Sequence, residues 1–128
     1  MARSRWWLLI GALCGLMACT QKEDGPSVDG KQFVYSDAVW TVSVYMDGEL
    51  TVFKDGRYVF QDLGMRVTGS YPAISLRGAE VSLDCTFSSP DAFQGEVSEN
   101  IGHLDLPYRM AFRKDSRVLD SNGDGLLD

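Results

Sequence analysis

The fold of this chain is decided by residues 40–60, whose sequence is WTVSVYMDGELTVFKDGRYVF. Apolar and polar side chains alternate there, so that Val42 and Val44 share one face and Thr41 and Ser43 share the other. A period of two is typical of a β-strand with one buried face. Two Asp-Gly pairs interrupt the alternation, and this dipeptide favours tight hairpin turns because it tolerates positive φ. The stretch therefore predicts successive antiparallel strands.

The same alternation extends through residues 31–114. Its later apolar positions are Met65, Val67, Tyr71, Val81, Leu83, Cys85, Phe87, Phe93, Val97, Leu104, Leu106, Tyr108, Met110 and Phe112. The connections are too short for parallel crossovers, which need a dozen residues or more. We predict an all-β chain: one small antiparallel meander of about eight short strands, closed as a barrel or flattened as a sandwich.

Length and charge exclude several classes of protein. The 128 residues suffice for one domain, and 23% charged with 45% hydrophobic residues is typical of neither a disordered chain nor a membrane bundle. Lys and Arg number 12 against 18 Asp and Glu, which gives a net charge of −6. Nucleic acid is not expected as a partner, because neutralising phosphates requires grouped cations.

The N-terminus has the organisation of an export signal. Arg3 and Arg5 precede an uncharged run, Trp6 to Ala18, of 13 residues. That run is too short to span a bilayer as a helix, which needs about 20 residues. We therefore predict a signal peptide helix over residues 1–18, to be removed from the mature protein.

The end of this segment adds a more specific signal. Residues 16–19, LMAC, resemble the lipobox of bacterial lipoproteins. The resemblance implies cleavage between Ala18 and Cys19 and lipidation of Cys19, the alternative being an ordinary secretory signal with an incidental cysteine. Residues 21–24, QKED, resemble the acidic export signal of surface lipoproteins in Bacteroidota. That resemblance implies a lipid anchor in the outer membrane, facing the cell surface; the alternative is a solvated tether.

The chain divides into four segments on these grounds: the signal peptide 1–18, a lipidated flexible tether 19–30, an antiparallel β domain 31–114 and an acidic tail 115–128. The strand of Trp40, the LTVFKDGRYVF run and the late Phe112-Arg113-Lys114 resemble the compact lipocalin-like β domains of small bacterial lipoproteins. The resemblance implies an up-and-down barrel or flattened sandwich.

The chain is much shorter than a full-length lipocalin, so a filled interior is favoured over a ligand pocket. Should a cavity be open, its predicted lining is Trp40, Tyr58 and Tyr71, and its ligand would be small and apolar.

Catalytic residues are not predicted. His103 is the sole histidine, and Cys85 lies on the apolar side of its strand, where a buried inert thiol is expected. The sequence contains no Gly-x-Ser-x-Gly nucleophile elbow and no phosphate-binding glycine loop.

The tail suggests one metal site. Residues 120–128, DSNGDGLLD, match the first nine positions of a calcium loop, with oxygen ligands expected from Asp120, Asn122, Asp124 and Asp128. The carboxylate that such loops carry at their twelfth position does not follow within the sequence. The two alternatives are thus a calcium loop and a flexible acidic tail without metal, and no other cofactor is expected.

Three functions are compatible with these features. The first is a non-enzymatic binding module anchored to the cell envelope through lipid, with a small apolar ligand, a glycan or an envelope protein as partner. The second is an accessory or structural outer-membrane lipoprotein without a small ligand. The third is a glycan hydrolase, which requires two facing carboxylates, one with a raised pKa.

The lipid anchor is testable by replacing the cysteine that would carry it. Cys19→Ala is expected to release the protein from membranes, because it removes the predicted attachment point of the two or three acyl chains that hold the protein there. Fractionation of cell membranes measures the release. The matched control is Cys14→Ala, which leaves the lipobox intact and is expected to stay with the membrane. An unchanged distribution of Cys19→Ala would contradict lipidation.

Overall fold

The structure, a computed structural model, describes residues 27–100 and 102–128. In this part of the chain all regular structure is β. The nine strands are β1 Gln32–Ser36, β2 Trp40–Tyr45, β3 Glu49–Lys54, β4 Arg57–Asp62, β5 Arg66–Ser70, β6 Ala73–Arg77, β7 Val81–Ser89, β8 Ala92–Glu99 and β9 Arg109–Lys114. No helix within the described ranges is long and apolar enough to cross a membrane. The predicted signal peptide helix lies outside these residues.

The all-β prediction is confirmed, with nine strands in place of about eight. The strands form one antiparallel sheet, curled into a half-barrel, in the order β4-β3-β2-β1-β9-β8-β7-β6-β5. Each strand pairs with its neighbour along the chain except at β4 and β5, while β1 pairs with β9. The first and last strands are therefore joined, and β4 and β5 form the two edges of the sheet. We call these two edges and their connection, residues 63–65, the seam.

The junction between β1 and β9 is short. Only two registered pairs join these strands, Phe33 with Lys114 and Val34 with Arg113. Aromatic packing adds to it: the ring of Phe33 lies 5.6 Å from that of Phe87 and 5.2 Å from that of Phe93, between centroids. Edge-to-face pairs of this kind contribute about 0.5–1.5 kcal/mol beyond the area they bury.

The interior of the curled sheet is filled. Among the described residues, twenty buried apolar side chains form one core cluster, which includes Trp40, Leu83 and Phe112. Gly95 allows part of this packing, because a Cβ at its position would lie 2.9 Å from Leu83 Cδ1 and 3.0 Å from Phe112 Cε1. The faces predicted from alternation for β2, β3, β7 and β8 are the faces that point into this core.

The predicted turns form as expected at the Asp-Gly pairs. Gly48 has φ +111°, and a Cβ there would lie 2.4 Å from the backbone oxygen of Met65, so only glycine fits. The N–H of Met65 donates to the Gly48 carbonyl at 2.9 Å, and the Met65 side chain is buried. The hairpin turn thereby holds the connection between β4 and β5 against one end of the sheet.

The last strand starts later than predicted. The alternation predicts a strand from Leu104 to Phe112, whereas β9 begins at Arg109. The reason is the Glu99 carboxylate, which accepts hydrogen bonds from the N–H groups of Leu104 at 3.0 Å and Leu106 at 2.7 Å. Backbone donors that bind a carboxylate are not available to a neighbouring strand, so this segment is a loop.

Both ends of the β domain differ from the predicted boundaries. Val28, in the predicted tether, is buried in the core cluster. The tail, residues 115–128, lies on the outer face of the sheet: the N–H of Asp115 donates to the Gln32 carbonyl at 3.0 Å, and that of Tyr58 donates to the Gly125 carbonyl at 2.8 Å. The tail is therefore docked and does not extend freely into solvent as the sequence suggested.

Candidate binding surface

Exposed apolar side chains concentrate at the seam. Large hydrophobic residues are exposed at nine places in the described chain, and five of these places are at the seam or paired with it: Tyr58, Val59, Leu63, Val67 and Leu126. Isolated exposed apolar residues are normal on a soluble domain, but a concentration of them is typical of an interaction site.

The exposure follows from the topology. β4 and β5 each have one strand neighbour in place of two, and every residue of β5 is exposed. The pairing of β3 with β4 shifts between Val52 and Phe53, which leaves Val59 as an extra residue without a partner on β3. Bulges of this kind are one means by which proteins limit uncontrolled pairing at an open edge.

The outer face of β3 and β4 carries a shallow groove beside the seam. Its volume is about 320 Å³, and its lining includes Phe53, Tyr58, Gln61 and Asp120. Phe53 points outward from the sheet and yet is only 4% exposed. The ring of Tyr58, 6.5 Å away between centroids, packs edge-on against it. The groove thus combines an apolar floor with polar walls, partly supplied by the tail.

The three aromatic residues predicted to bind a ligand are in different environments. Trp40 lies in the core, with Lys54 Nζ 5.2 Å from its ring centroid. Tyr58 is on the opposite face of the sheet, because it pairs with Phe53 and Phe53 pairs with Thr41, the neighbour of Trp40.

Tyr71 is half-buried between β5 and β6, with its ring 5.3 Å from that of Phe87. Ligand binding by these three residues stays a prediction.

Cys85 is buried, whereas His103 is exposed on a loop. Burial, with a smaller effect of the Asp84 charge, raises the pKa of the Cys85 thiol to about 12. Such a thiol carries almost no thiolate at neutral pH and is a poor nucleophile. His103 lies on an exposed loop, with Nε2 3.8 Å from Glu80 Oε1.

Two carboxyl groups among the described residues have shifted pKa values, and both are lowered. The Asp37 pKa is lowered first by the hydrogen bond from the Tyr35 hydroxyl and then by those from the N–H groups of Trp40 and Val39. The pKa of Asp115 is lowered chiefly by the N–H of Arg117. A general acid in glycan hydrolysis requires the opposite shift.

The predicted calcium loop binds its own backbone. Asp120 accepts hydrogen bonds from the N–H groups of Gly123 and Gly125, both at 2.9 Å, while the Asp128 carboxylate accepts one from Ser121. In residues 27–100 and 102–128, no group of three or more His, Cys, Asp or Glu side chains is placed to hold a metal ion. Calcium binding by Asp120, Asn122, Asp124 and Asp128 stays a prediction.

The lipidation and cleavage residues, Cys19 and Ala18, lie outside the described residues. The alternation placed Val67 on the buried face, which is wrong, because every residue of the edge strand β5 is exposed. The sequence did not single out Leu63 or Leu126 as surface residues. For Leu63 a signal existed, since it is an apolar residue directly before Gly64, where a turn is expected.

Comparisons with models of known families, with curated proteins and with solved structures found no match. The function must therefore be inferred from the residues of the chain itself.

The inertness of Cys85 is testable by thiol labelling of residues 20–128, produced without the leader so that Cys85 is the single cysteine. Native protein at pH 7.5 is expected not to react with a maleimide, because the thiol is buried and its pKa is raised to about 12. Denatured protein is expected to take up one label per chain. The control is Thr86→Cys in a Cys85→Ala chain, which labels in the native state because residue 86 is exposed. Equal labelling rates for Cys85 and this control would contradict the burial.

Proposed function

We propose that this chain is a lipid-anchored, non-enzymatic binding module of the bacterial cell envelope, and that it contacts a protein partner at the seam. The observation that carries the proposal is that Tyr58, Val59, Leu63 and Val67 are exposed on the two edge strands and their connection, in an otherwise well-packed sheet.

The filled interior directs recognition to the outside. A lipocalin-like ligand site needs an open cavity, whereas here Trp40 is part of a core that reaches from Phe33 to Phe112. A surface that combines apolar side chains with strand edges suits a polypeptide, because backbone donors and acceptors of a partner can pair with those of the edge. This feature favours a protein over a small apolar molecule or a glycan.

The anchor would keep the domain close to the membrane. Cys19 and the buried Val28 are nine residues apart, a distance of at most about 30 Å when fully extended. A domain on so short a tether meets partners in or near the same membrane, which agrees with an envelope protein as the partner.

We propose a non-enzymatic function for two physical reasons. The buried Cys85 has a raised pKa, which disfavours the thiolate that a nucleophile needs. The carboxyl groups with shifted pKa values, Asp37 and Asp115, are stabilised as carboxylates and so are poor proton donors.

The proposal is testable by site-specific photo-crosslinking in cells that make the lipidated protein. A photoreactive side chain at Val67 is expected to produce a discrete adduct with one envelope protein, because Val67 lies on the open edge of β5. The matched control is Val39, which lies in the connection between β1 and β2 and is equally exposed, 40% against 39% for Val67. Val39 is expected to produce no such adduct.

Two outcomes would contradict the proposed contact at the seam. Equal adducts from Val67 and Val39 would show that the seam is not selective. No adduct at Val67 together with none at Leu63 would favour the accessory lipoprotein without a partner at this surface. Retention of the Cys19→Ala chain in membranes would contradict the lipid anchor only. The contact at the seam is tested separately, by the crosslinks.

A further inference from the structure

The tail is docked to the sheet in the manner of a short strand. Arg57 pairs with Lys54 on the β3 side and with Leu126 in an isolated antiparallel bridge on its other side. The N–H of Tyr58 donates to the Gly125 carbonyl at 2.8 Å, and the N–H of Leu127 donates to the Gly56 carbonyl at 2.9 Å. Residues 125–127 therefore occupy the first part of the free edge of β4.

Two of the four large apolar side chains of the docked tail remain exposed, whereas Leu119 and Leu127 are half-buried. Leu126 remains 42% exposed and Val118 remains 69% exposed. The backbone hydrogen bonds that join the tail to β4 each add little to stability in water, because water competes for the same groups. Release of the tail would remove one wall of the groove that Phe53 and Tyr58 line.

Charge also fits the tail to this edge. The tail carries Asp120, Asp124 and Asp128, whereas Arg57 stands at the bridge and forms no salt bridge within the described residues. A segment with carboxylates on both sides of Leu126 is therefore electrostatically matched to the edge at Arg57, even where no single ion pair forms.

We propose that the tail is exchanged between copies of this chain, so that residues 125–127 of one copy pair with the free edge of β4 in a second copy. The bonds are the same in both arrangements, because the docking site and the segment have the same sequence in each copy. Exchange of an identical element needs only a different path through the linker, and it is a low-cost route to association. Residues 116–118, which form that linker, are exposed.

The membrane favours this exchange. This step rests on the proposed function: copies anchored through Cys19 share one surface, which raises the effective concentration of each tail near the β4 edge of its neighbours. In each exchange the tail of one copy would lie on the β4 edge of the other copy, which is part of its seam.

Paired cysteines test the exchange in the lipidated full chain. The bridge of Arg57 and Leu126 is a pair without hydrogen bonds between the two residues, for which Cα atoms lie about 4.5 Å apart, within the range that a disulfide spans. Arg57→Cys with Leu126→Cys in one chain is expected to form an intrachain disulfide on mild oxidation of membranes. This double variant checks the docking itself.

The exchange is measured by co-expressing two single variants, Arg57→Cys with one epitope tag and Leu126→Cys with another. A disulfide that links the two tags requires docking of a tail onto a second copy. The control pair is Leu63→Cys with Leu126→Cys, because Leu63 is exposed and lies past the other end of β4. We expect several times more mixed-tag product from the Arg57 pair than from the control pair.

Three results would overturn the exchange. Equal mixed-tag product from both pairs, or intrachain disulfide without mixed-tag product, would overturn the exchange and leave the tail as a strap within one chain. Failure of the double variant to form its intrachain disulfide would overturn the proposal as well, because the docking geometry would be wrong. The crosslinks from Val67 are independent of these results, so the proposed function can fail or stand separately.

Discussion

The packing of Phe33 against the aromatic side chains of Phe87 on β7 and Phe93 on β8 is the interaction on which the rest of the structure depends. β1 and β9 are far apart in sequence, and only two registered pairs join them. Burying one large aromatic side chain contributes about 1.5–3 kcal/mol, whereas a backbone hydrogen bond contributes about 0.5–1.5 kcal/mol net. The aromatic cluster, in which Phe93 and Phe112 also stack at 4.6 Å, thus contributes more to this junction than the two registered pairs do.

The closure at β1 and β9 determines where the sheet is open. Each of the nine described strands pairs with the next strand along the chain, except that β4 does not pair with β5. Residues 63–65 connect these two strands. The core fills the concave side, so the unpaired edges are left with exposed apolar side chains on a domain that is otherwise well packed. The proposed binding surface and the docking of the tail are both consequences of this single opening.

Much of the fold could be predicted from the sequence, because local patterns decide it. The Asp-Gly turns form where expected, with φ +111° at Gly48 and +79° at Gly56, and alternation identified the buried faces of β2 and β7. β1 lies within the predicted β domain, residues 31–114, but its apolar positions were not identified there, because Phe33 and Tyr35 alternate over only five residues.

The seam and the docked tail could not be predicted, because both depend on contacts between distant segments. No local pattern distinguishes a connection such as residues 63–65, which separates two edges, from one that joins paired strands. The tail is likewise held by backbone hydrogen bonds, which leave no trace in side-chain type. The loop before β9 was misjudged for a similar reason, since the carboxylate of Glu99 competes for its backbone donors.

The most direct measurement of the central claim is the unfolding of Phe33→Ala in denaturant. Trp40 fluorescence reports on the half of the sheet from β1 to β4, and hydrogen exchange at Leu83 reports on the half from β5 to β9. We predict one transition seen by both probes, with the free energy of unfolding lowered by about 3–5 kcal/mol. Separate transitions for the two probes in the parent protein, or a loss for Phe33→Ala no larger than that for the half-buried Phe60→Ala, would contradict the claim that this cluster holds the sheet together.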